Sequence, residues 1–582
     1  MFETNIKPGF SAKKLDEKLP LYEIKLFSSA PIFIYQHELK TRELQQIKRG
    51  LKSLIEWTEN DAKILSLVNH PFWTEIALSL PNSELIYDCM DHHAGFGNID
   101  DFMIALEKKL LLKSTIVLTS SQKLFEEGSS VNSSVVLIRN ATEFDHFKNQ
   151  PADIFLDSDK RKIIGYYGAI ADWFDVSLVG YIAQRFPDAL ILLVGDDTIG
   201  AKSKLSQYTN IQFTGEVSYQ KLPYYLHAFD VCLIPFLINP LTEATNPVKV
   251  YEYLSAGKPV VSVNLPELRE LSEHVSIGNT PNDFIEHIKN YFHNPGDTKS
   301  RQFFASQQTW ESRIGIFEKT LHTLKRPFVS VIILTHNNLT LTQKCIESIE
   351  RYTQYPAIEI IIVDNASTDG TRDYLQALST PYKIILNNEN KGFSAGNNIG
   401  ILAARGDYLV LLNNDTTVTP GWLLTLLNHC TRNPEIGLLG PMTDNIGNEA
   451  KIDLTSIIPS QKEHTIKQEM LAHMGELMPL KTLAFFCVMI PHKIIREVGL
   501  LDEQFGLGFF EDDDYCKRVR VSGYQIQCAR DVFVHHHLSA SFDKMTTKAR
   551  EALFQKNKIL FEKKWGAWEG HSHKKNEDSL QT

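Results

Sequence analysis

Four apolar runs between residues 331 and 412 each stop dead on polar groups, and that order leaves few folds open. Residues 331–334 end on Thr335-His336-Asn337-Asn338, and residues 360–363 end on Asp364-Asn365-Ala366-Ser367. Residues 384–386 run into an Asn-rich loop that closes on Asn390-Lys391-Gly392-Phe393-Ser394-Ala395-Gly396-Asn397, and residues 408–412 end on Asn413-Asn414-Asp415. Helical segments are expected near 341–352, 371–378, 394–404 and 421–431. Short β-branched runs alternating with helices predict a parallel sheet. An open sheet of that kind binds its ligand at the carboxyl edge of its strands. An Asx turn would explain any one of these endings; the ordered set of four points to a binding edge.

Along that edge Asp364 is placed to accept hydrogen bonds from a ribose or base, and Gly392 and Gly396 would let backbone approach a ligand. Thr335, Asn337, Asn365, Ser367, Asn390, Asn397, Asn413, Asn414 and Asp415 complete the candidate ligand contacts. Phe393 adds a ring able to stack, with core packing as the alternative for it and for Trp422. Farther on, Glu511-Asp512-Asp513-Asp514 opens a helical run. Acidic residues favour a helix amino terminus, but four in a row behind Phe509-Phe510 exceed what capping needs. Gly506 and Gly508 suit a loop over a second substrate.

The chain is 582 residues long, 43% hydrophobic and 22% charged, which predicts roughly three to four compact units. Its net charge of −10 comes without a basic stripe, so a nucleic-acid polymer is not an expected partner. No run reaches the length of about 18 apolar residues that a membrane span needs, and the start lacks a signal-peptide apolar region. A cytoplasmic protein is expected. The seven cysteines are scattered without a Cys-x-x-Cys pair, as befits reduced thiols. A polar tail from His571 onward is expected to be disordered.

Two halves join near Lys325-Arg326-Pro327, behind a helix expected at 310–324. In the first half, strands are expected at 32–35, 64–68, 85–88, 116–119 and 135–138, with an amphipathic helix at 42–57. A second set follows at 162–167, 189–195, 211–214, 231–235 and 259–263. Two such sets predict two doubly wound units facing one cleft. The expected division is 1–160, 161–325 and 327–565, with a polar tail at 566–582.

The motifs of the second half (Val-Asp-Asn-Ala-Ser-Thr-Asp-Gly, Asn-Lys-Gly-Phe-Ser-Ala-Gly-Asn-Asn, Leu-Leu-Asn-Asn-Asp, Phe-Phe-Glu-Asp-Asp-Asp-Tyr-Cys) resemble the family 2 glycosyltransferases of GT-A fold. The resemblance runs from about Phe328 to Trp565, closest to the rhamnosyl- and galactofuranosyltransferase-like branch. It implies transfer of a sugar from a nucleotide-diphosphate donor to a hydroxyl, with inversion and a divalent cation, manganese or magnesium. The family's Asp-x-Asp falls on Asn413 and Asp415, leaving Asp415 as the charged metal ligand. By the same resemblance His536 is the second ligand, with His535 and His537 as alternatives. Asp512 matches the catalytic base and Glu511 its neighbour.

Residues 30–320 resemble GT-B glycosyltransferases related to family 4. The donor-binding positions implied there are Gly168, Gly195, Lys249 and the ribose ligand Glu252. The match has gaps: a second Glu expected at position 244 is Ala, with Glu243 one residue off. The basic residue expected after the Gly168 turn is also missing, and Lys249 would have to replace it.

The fold expected is therefore α/β, a GT-B-like pair of doubly wound domains followed by a GT-A nucleotide-sugar transferase domain. The partners expected are a nucleotide-diphosphate sugar and a glycan or lipid-linked glycan acceptor. A lipid-linked acceptor would bring the protein to the inner membrane face, where Lys563-Lys564-Trp565 and Trp568 offer a basic aromatic end; an ordinary helix end is preferred. The alternative is a single active GT-A transferase on a degenerate GT-B scaffold. A nucleotidyltransferase would need a Gly- and Arg-rich loop after the first strand, which Thr335-His336-Asn337-Asn338 does not supply.

Overall fold

The computed structural model describes residues 4–35, 37–58, 61–97, 99–379, 381–537 and 547–569. The polar tail beyond 569 lies outside the described residues. The α/β class is as expected, built on four sheets.

A six-stranded parallel sheet has the order Ile211–Phe213, Ala189–Val194, Lys162–Tyr167, Val231–Ile234, Val260–Val263, Val275–Gly278. The first strand in sequence lies in the middle, so the winding direction reverses between it and Val231–Ile234, which opens a crevice at their carboxyl ends. The strand Ala189–Val194 is buried at every position, as a central strand covered on both faces must be.

The unit before it is smaller. Ile64–Val68, Ser83–Cys89, Ile116–Thr119 and Val135–Leu137 form a four-stranded parallel sheet in sequence order. Residues 32–35, expected as a strand, do not form one. Phe33 and Tyr35 are exposed there, so the segment finds no sheet to join. Instead Thr4–Lys7, Phe10–Lys14 and Tyr22–Leu26 make a separate antiparallel sheet that the sequence reading missed. The helix Trp310–Thr323 returns to this unit, where Phe317 and Leu321 pack on Ile86 and Ile116.

The second half holds a nine-stranded mixed sheet. Its path is Tyr382–Leu386, Ile358–Asp364, Val329–Thr335, Tyr408–Asn413, Cys487–Pro491, Ile436–Met442, Gln525–His536, Thr416–Val418, and Leu477–Pro479 pairs with Gln525–His536 off that path. Winding reverses between Val329–Thr335 and Tyr408–Asn413, so their ends face one crevice. All seven cysteines are buried free thiols.

The small first unit is fastened to the second half. The Asn82 amide donates to Thr425 Oγ1 at 2.9 Å, Asn428 Nδ2 to the Ser83 carbonyl at 2.8 Å, and Arg432 Nη1 to the Leu78 carbonyl at 2.9 Å. Arg326, in the joint, pairs with the buried Glu84 at 2.9 Å.

Candidate functional site

The crevice of the nine-stranded sheet is floored by amides turned inward. Asn414 is buried, and its Nδ2 donates to Thr342 Oγ1 at 2.9 Å and to Thr335 Oγ1 at 3.1 Å. Asn413 is anchored by its backbone, its N–H bonding the Phe486 carbonyl at 2.8 Å. Asp415 then turns the other way. Its Oδ1 is buried, has no hydrogen-bond partner, and lies 3.5 Å from His536 Nε2.

Strand register places that histidine. Thr416–Val418 pairs antiparallel with Gln525–His536, Thr416 opposite His536. The His536 ring stacks on Phe486 with centroids 5.0 Å apart, and its Nδ1 lies 3.1 Å from the Asn445 carbonyl. A carbonyl can only accept, so Nδ1 carries a proton, and in the neutral ring the Nε2 lone pair is the atom that faces Asp415. Two lone-pair atoms converging without a donor fit a shared cation. Alternation along the strand sends the neighbours elsewhere: His535 Nδ1 bonds Asp444 at 2.9 Å and His537 Nε2 bonds Thr417 Oγ1 at 2.8 Å. Burial opposes the charge on Asp444, yet His535 and the His536 amide hold its carboxyl at about 2. Among the described residues no three His, Cys, Asp or Glu side chains form a cage. Further ligands would be phosphate and water oxygens, which hard cations accept.

Many of the candidate donor contacts meet at this edge, but several spend their polar atoms on one another. Asn365 Oδ1 accepts from Asn387 at 2.9 Å, while its Nδ2 donates to Asn390 Oδ1 and the Gly392 carbonyl, each at 3.0 Å. Asn337 Oδ1 accepts the Thr368 amide at 2.7 Å, and the Asn337 amide donates to Ser367 Oγ at 2.7 Å. Asn397 Nδ2 donates to the Phe393 carbonyl at 3.0 Å. Asp364 is fully buried and accepts the Ser367 amide at 3.2 Å. These residues set the shape of the ligand loops. Phe393 packs against the core. Ser394, passed over in the sequence, is fully buried with an unpartnered Oγ in the first turn of the helix Gly392–Ala403. Its place in the Gly-Phe-Ser run was the only sign of it.

The acidic cluster lies against the same edge. The Phe393 amide donates to the Gly506 carbonyl at 3.0 Å, and a Cβ on Gly392 would fall 2.2 Å from that oxygen. Only glycine lets the two loops touch. Glu511 is buried with Oε2 unpartnered, and Asp512 is half-buried beside it. Burial, then mutual repulsion, pushes the Asp512 carboxyl up, and burial does the same to Glu511. Asp514 is neutralised: Arg518 Nε at 2.9 Å, Trp565 Nε1 at 2.8 Å and Lys564 all donate to it. Lys564 and Trp565 thus turn inward, and Trp568 packs edge-on against Phe510, which is the behaviour of an ordinary helix end.

The six-stranded sheet carries a second crevice. Gly168 and Gly195 sit at φ +126° and +151°, and a Cβ on Gly195 would fall 2.0 Å from the Gly168 carbonyl oxygen. Lys249, in the helix Val248–Ser255, reaches this turn: its Cε would lie 3.1 Å from a Cβ on Gly168. Its ammonium lies over the Phe236 ring at 4.7 Å and the Tyr166 ring at 5.5 Å. Burial lowers its pKa to about 8, with Glu252 opposing. Glu252 is buried, accepts from the Tyr167 hydroxyl at 2.7 Å, and is itself pushed up by burial. Ala244 packs into the core of the first unit, and Glu243 pairs with Lys123 of that unit at 3.3 Å.

Residues 330–499 match the sequence model described as glycosyl transferase family 2, and residues 162–294 match glycosyl transferases group 1. A Bacillus subtilis (strain 168) protein, provisionally named the teichuronic acid biosynthesis glycosyltransferase TuaH, is 27% identical over 254 residues, 39% of this chain. The match spans 64% of TuaH, less than two thirds of its length. Glycosyltransferase AglE of Haloferax volcanii is 28% identical over 218 residues, covering 36% of this chain and 67% of its own. The crystal structure of HepE from Anabaena, in complex with UDP and glucose, aligns with a TM-score of 0.39 at 17% identity, covering 48% of this chain and 82% of its own. The chain thus carries a family 2 glycosyltransferase domain toward its carboxyl end, preceded by a group 1 glycosyltransferase segment in its amino-terminal half.

Proposed function

We propose that the second half, residues 327–565, moves a sugar from a nucleotide-diphosphate donor to a hydroxyl of a glycan or lipid-linked glycan. The transfer inverts the anomeric carbon and uses a divalent cation. The observation that carries this reading is the Asp415–His536 pair, 3.5 Å apart with Asp415 Oδ1 unpartnered at the sheet's switch point. Manganese or magnesium held there would neutralise charge on the diphosphate leaving group, and the nitrogen ligand favours manganese.

The chain's own residues supply the rest. Asn414 and Thr335 fix the strand end that presents Asp415. Asn365 and Asn390 hold the loop that brings Gly392 and Phe393 to the donor. Asp512 takes the proton of the acceptor hydroxyl as it attacks opposite the leaving group, and inversion follows from that single displacement. Burial and the neighbouring Glu511 raise its pKa, which makes its carboxylate a stronger proton acceptor than a free one. Glu511 orients the acceptor beside it.

A second transferase in the amino-terminal half is supported by Lys249 over the Gly168 turn, with Glu252 one helical turn on as ribose ligand. Residues 1–160 then form the acceptor half, shortened, and 161–325 the donor half. The likeness to TuaH supports a place in surface polysaccharide synthesis. Among the described residues no helix is long and apolar enough to cross a membrane; a cytoplasmic enzyme meeting the membrane through a lipid-linked acceptor fits this reading.

The test is a screen of nucleotide sugars with the full chain, read as released nucleoside diphosphate. One donor should be turned over with manganese and lose turnover on chelation. Chelator-resistant turnover that depends on Asp512 would overturn the metal role.

A further inference from the structure

The acidic cluster and the helix Thr547–Trp565 both lie beyond the segment matching family 2, yet the helix grips the cluster from both sides. Upstream of the cluster, Asn557 is fully buried. Its Nδ2 donates to the carbonyls of Phe505 and Gly508, each at 2.7 Å, and reaches that of Phe509 at 3.3 Å. The turn it holds is unusual: Phe509 and Phe510 both sit at φ +72°, a left-handed conformation that bulky residues keep only under constraint. The Phe510 ring is pinned by Phe554 at 5.1 Å, Phe561 at 5.6 Å and Trp568 at 5.1 Å.

Downstream, the same helix sends Lys564 and Trp565 to Asp514, and Lys564 also reaches Asp502 at 2.8 Å. Arg518 takes the other Asp514 oxygen at 2.9 Å. The titratable groups that act on Asp512 are Glu511 and Asp513 beside it, with the buried Cys516 thiol one helical turn on; Arg518 and Lys564 lie on the neighbouring Asp514, and Lys564 also on Asp502. Glu511 and Asp512 form no ion pair among the described residues.

We propose that the carboxyl-terminal helix positions the acceptor base: Asn557 sets the Phe505–Phe510 turn from which Asp512 projects, and Lys564 absorbs the charge of Asp514 next to it. This rests on Asp512 as base of the transfer reaction. Asn557 and Lys564 are positioning residues, acting through the turn and through Asp514. The arrangement explains why four acidic residues stand together. One is an anchor, paired by Arg518, Lys564 and Trp565, and the anchored helix start presents its neighbour.

The experiment compares Asn557→Leu, Lys564→Met and Asp512→Asn in the full chain, with the nucleotide sugar that the parent turns over. Asn557→Leu should lower kcat by roughly 10–100-fold, the effect of a misplaced reacting group, while donor KM stays within about twofold. Lys564→Met should move the acidic limb of the kcat–pH profile up, by about one unit at most, since Asp514 keeps Arg518 but loses one of its two cations. Circular dichroism and manganese binding by electron paramagnetic resonance report folding. Lys564 is partly exposed, so its variant decides the question if Asn557→Leu does not fold. Inactive Asp512→Asn beside parental kcat and pH profile in the other folded variants overturns the inference and leaves the base assignment standing. Full activity in Asp512→Asn overturns both.

Discussion

On the function proposed above, the two crevices face the same task with opposite means. In the nine-stranded sheet the residues at the switch point are Asp415 and His536, which present lone pairs. In the six-stranded sheet the corresponding reach is made by Lys249, an ammonium held between two rings. A diphosphate needs positive charge in either place. The first crevice would borrow it from an ion, and the second carries it on the chain. What they share is steric: each depends on a glycine where two backbones touch, Gly392 on Gly506 and Gly195 on Gly168.

This contrast can be broken most directly at the base. Asp512→Asn should cost transfer by the second half about 10²–10⁴-fold, the worth of general-base catalysis, with nucleotide binding retained; full activity would sink the assignment. Next, Asp415→Asn should weaken manganese-dependent donor binding by roughly 10–100-fold, as loss of a metal-site partner does. Unchanged calorimetric affinity with manganese would count against it. Lys249→Met should leave that binding untouched but lower nucleotide affinity in the first half by about tenfold, the scale of a charge-assisted contact.

The six-stranded crevice should also show a pH dependence of its own. Lys249 is charged below about 8 and neutral above. Nucleotide affinity in the first half should therefore fall as pH rises through that value, measured by titration calorimetry. Lys249→Arg, which keeps its charge, should flatten the curve; an unaltered curve would mean that another group titrates. The smallest effect expected is on stability: Gly392→Ala and Gly195→Ala should each cost more than about 1 kcal/mol, read as a lowered denaturation midpoint.

Much of both crevices was legible because a buried strand announces its end. Residues 116–119 and 162–167 coincide with buried strands of the structure, each closed by a change in polarity. His536 was legible only by resemblance, since its choice over His535 and His537 rests on strand register. The roles of Asn365, Asn390 and Asn414 were misread in emphasis: an amide at a strand end can serve a ligand or a loop, and only the partner atoms tell which. The segment 32–35 misled because apolar composition does not supply a neighbouring strand. Asn557 left no sign at all, for its worth lies in carbonyls about fifty positions earlier in the chain.

The bonds that tie Asn82, Ser83 and Leu78 to Thr425, Asn428 and Arg432 have a mechanical consequence. They bolt one jaw of the amino-terminal cleft to the heaviest part of the molecule. The six-stranded unit meets this anchored unit through Arg139 on Glu267 at 2.7 Å and Asn140 on Asn246, so any strain set up by a nucleotide there would pass along these bonds. A ligand held in the six-stranded crevice would be felt as a load at the helix Trp422–Arg432.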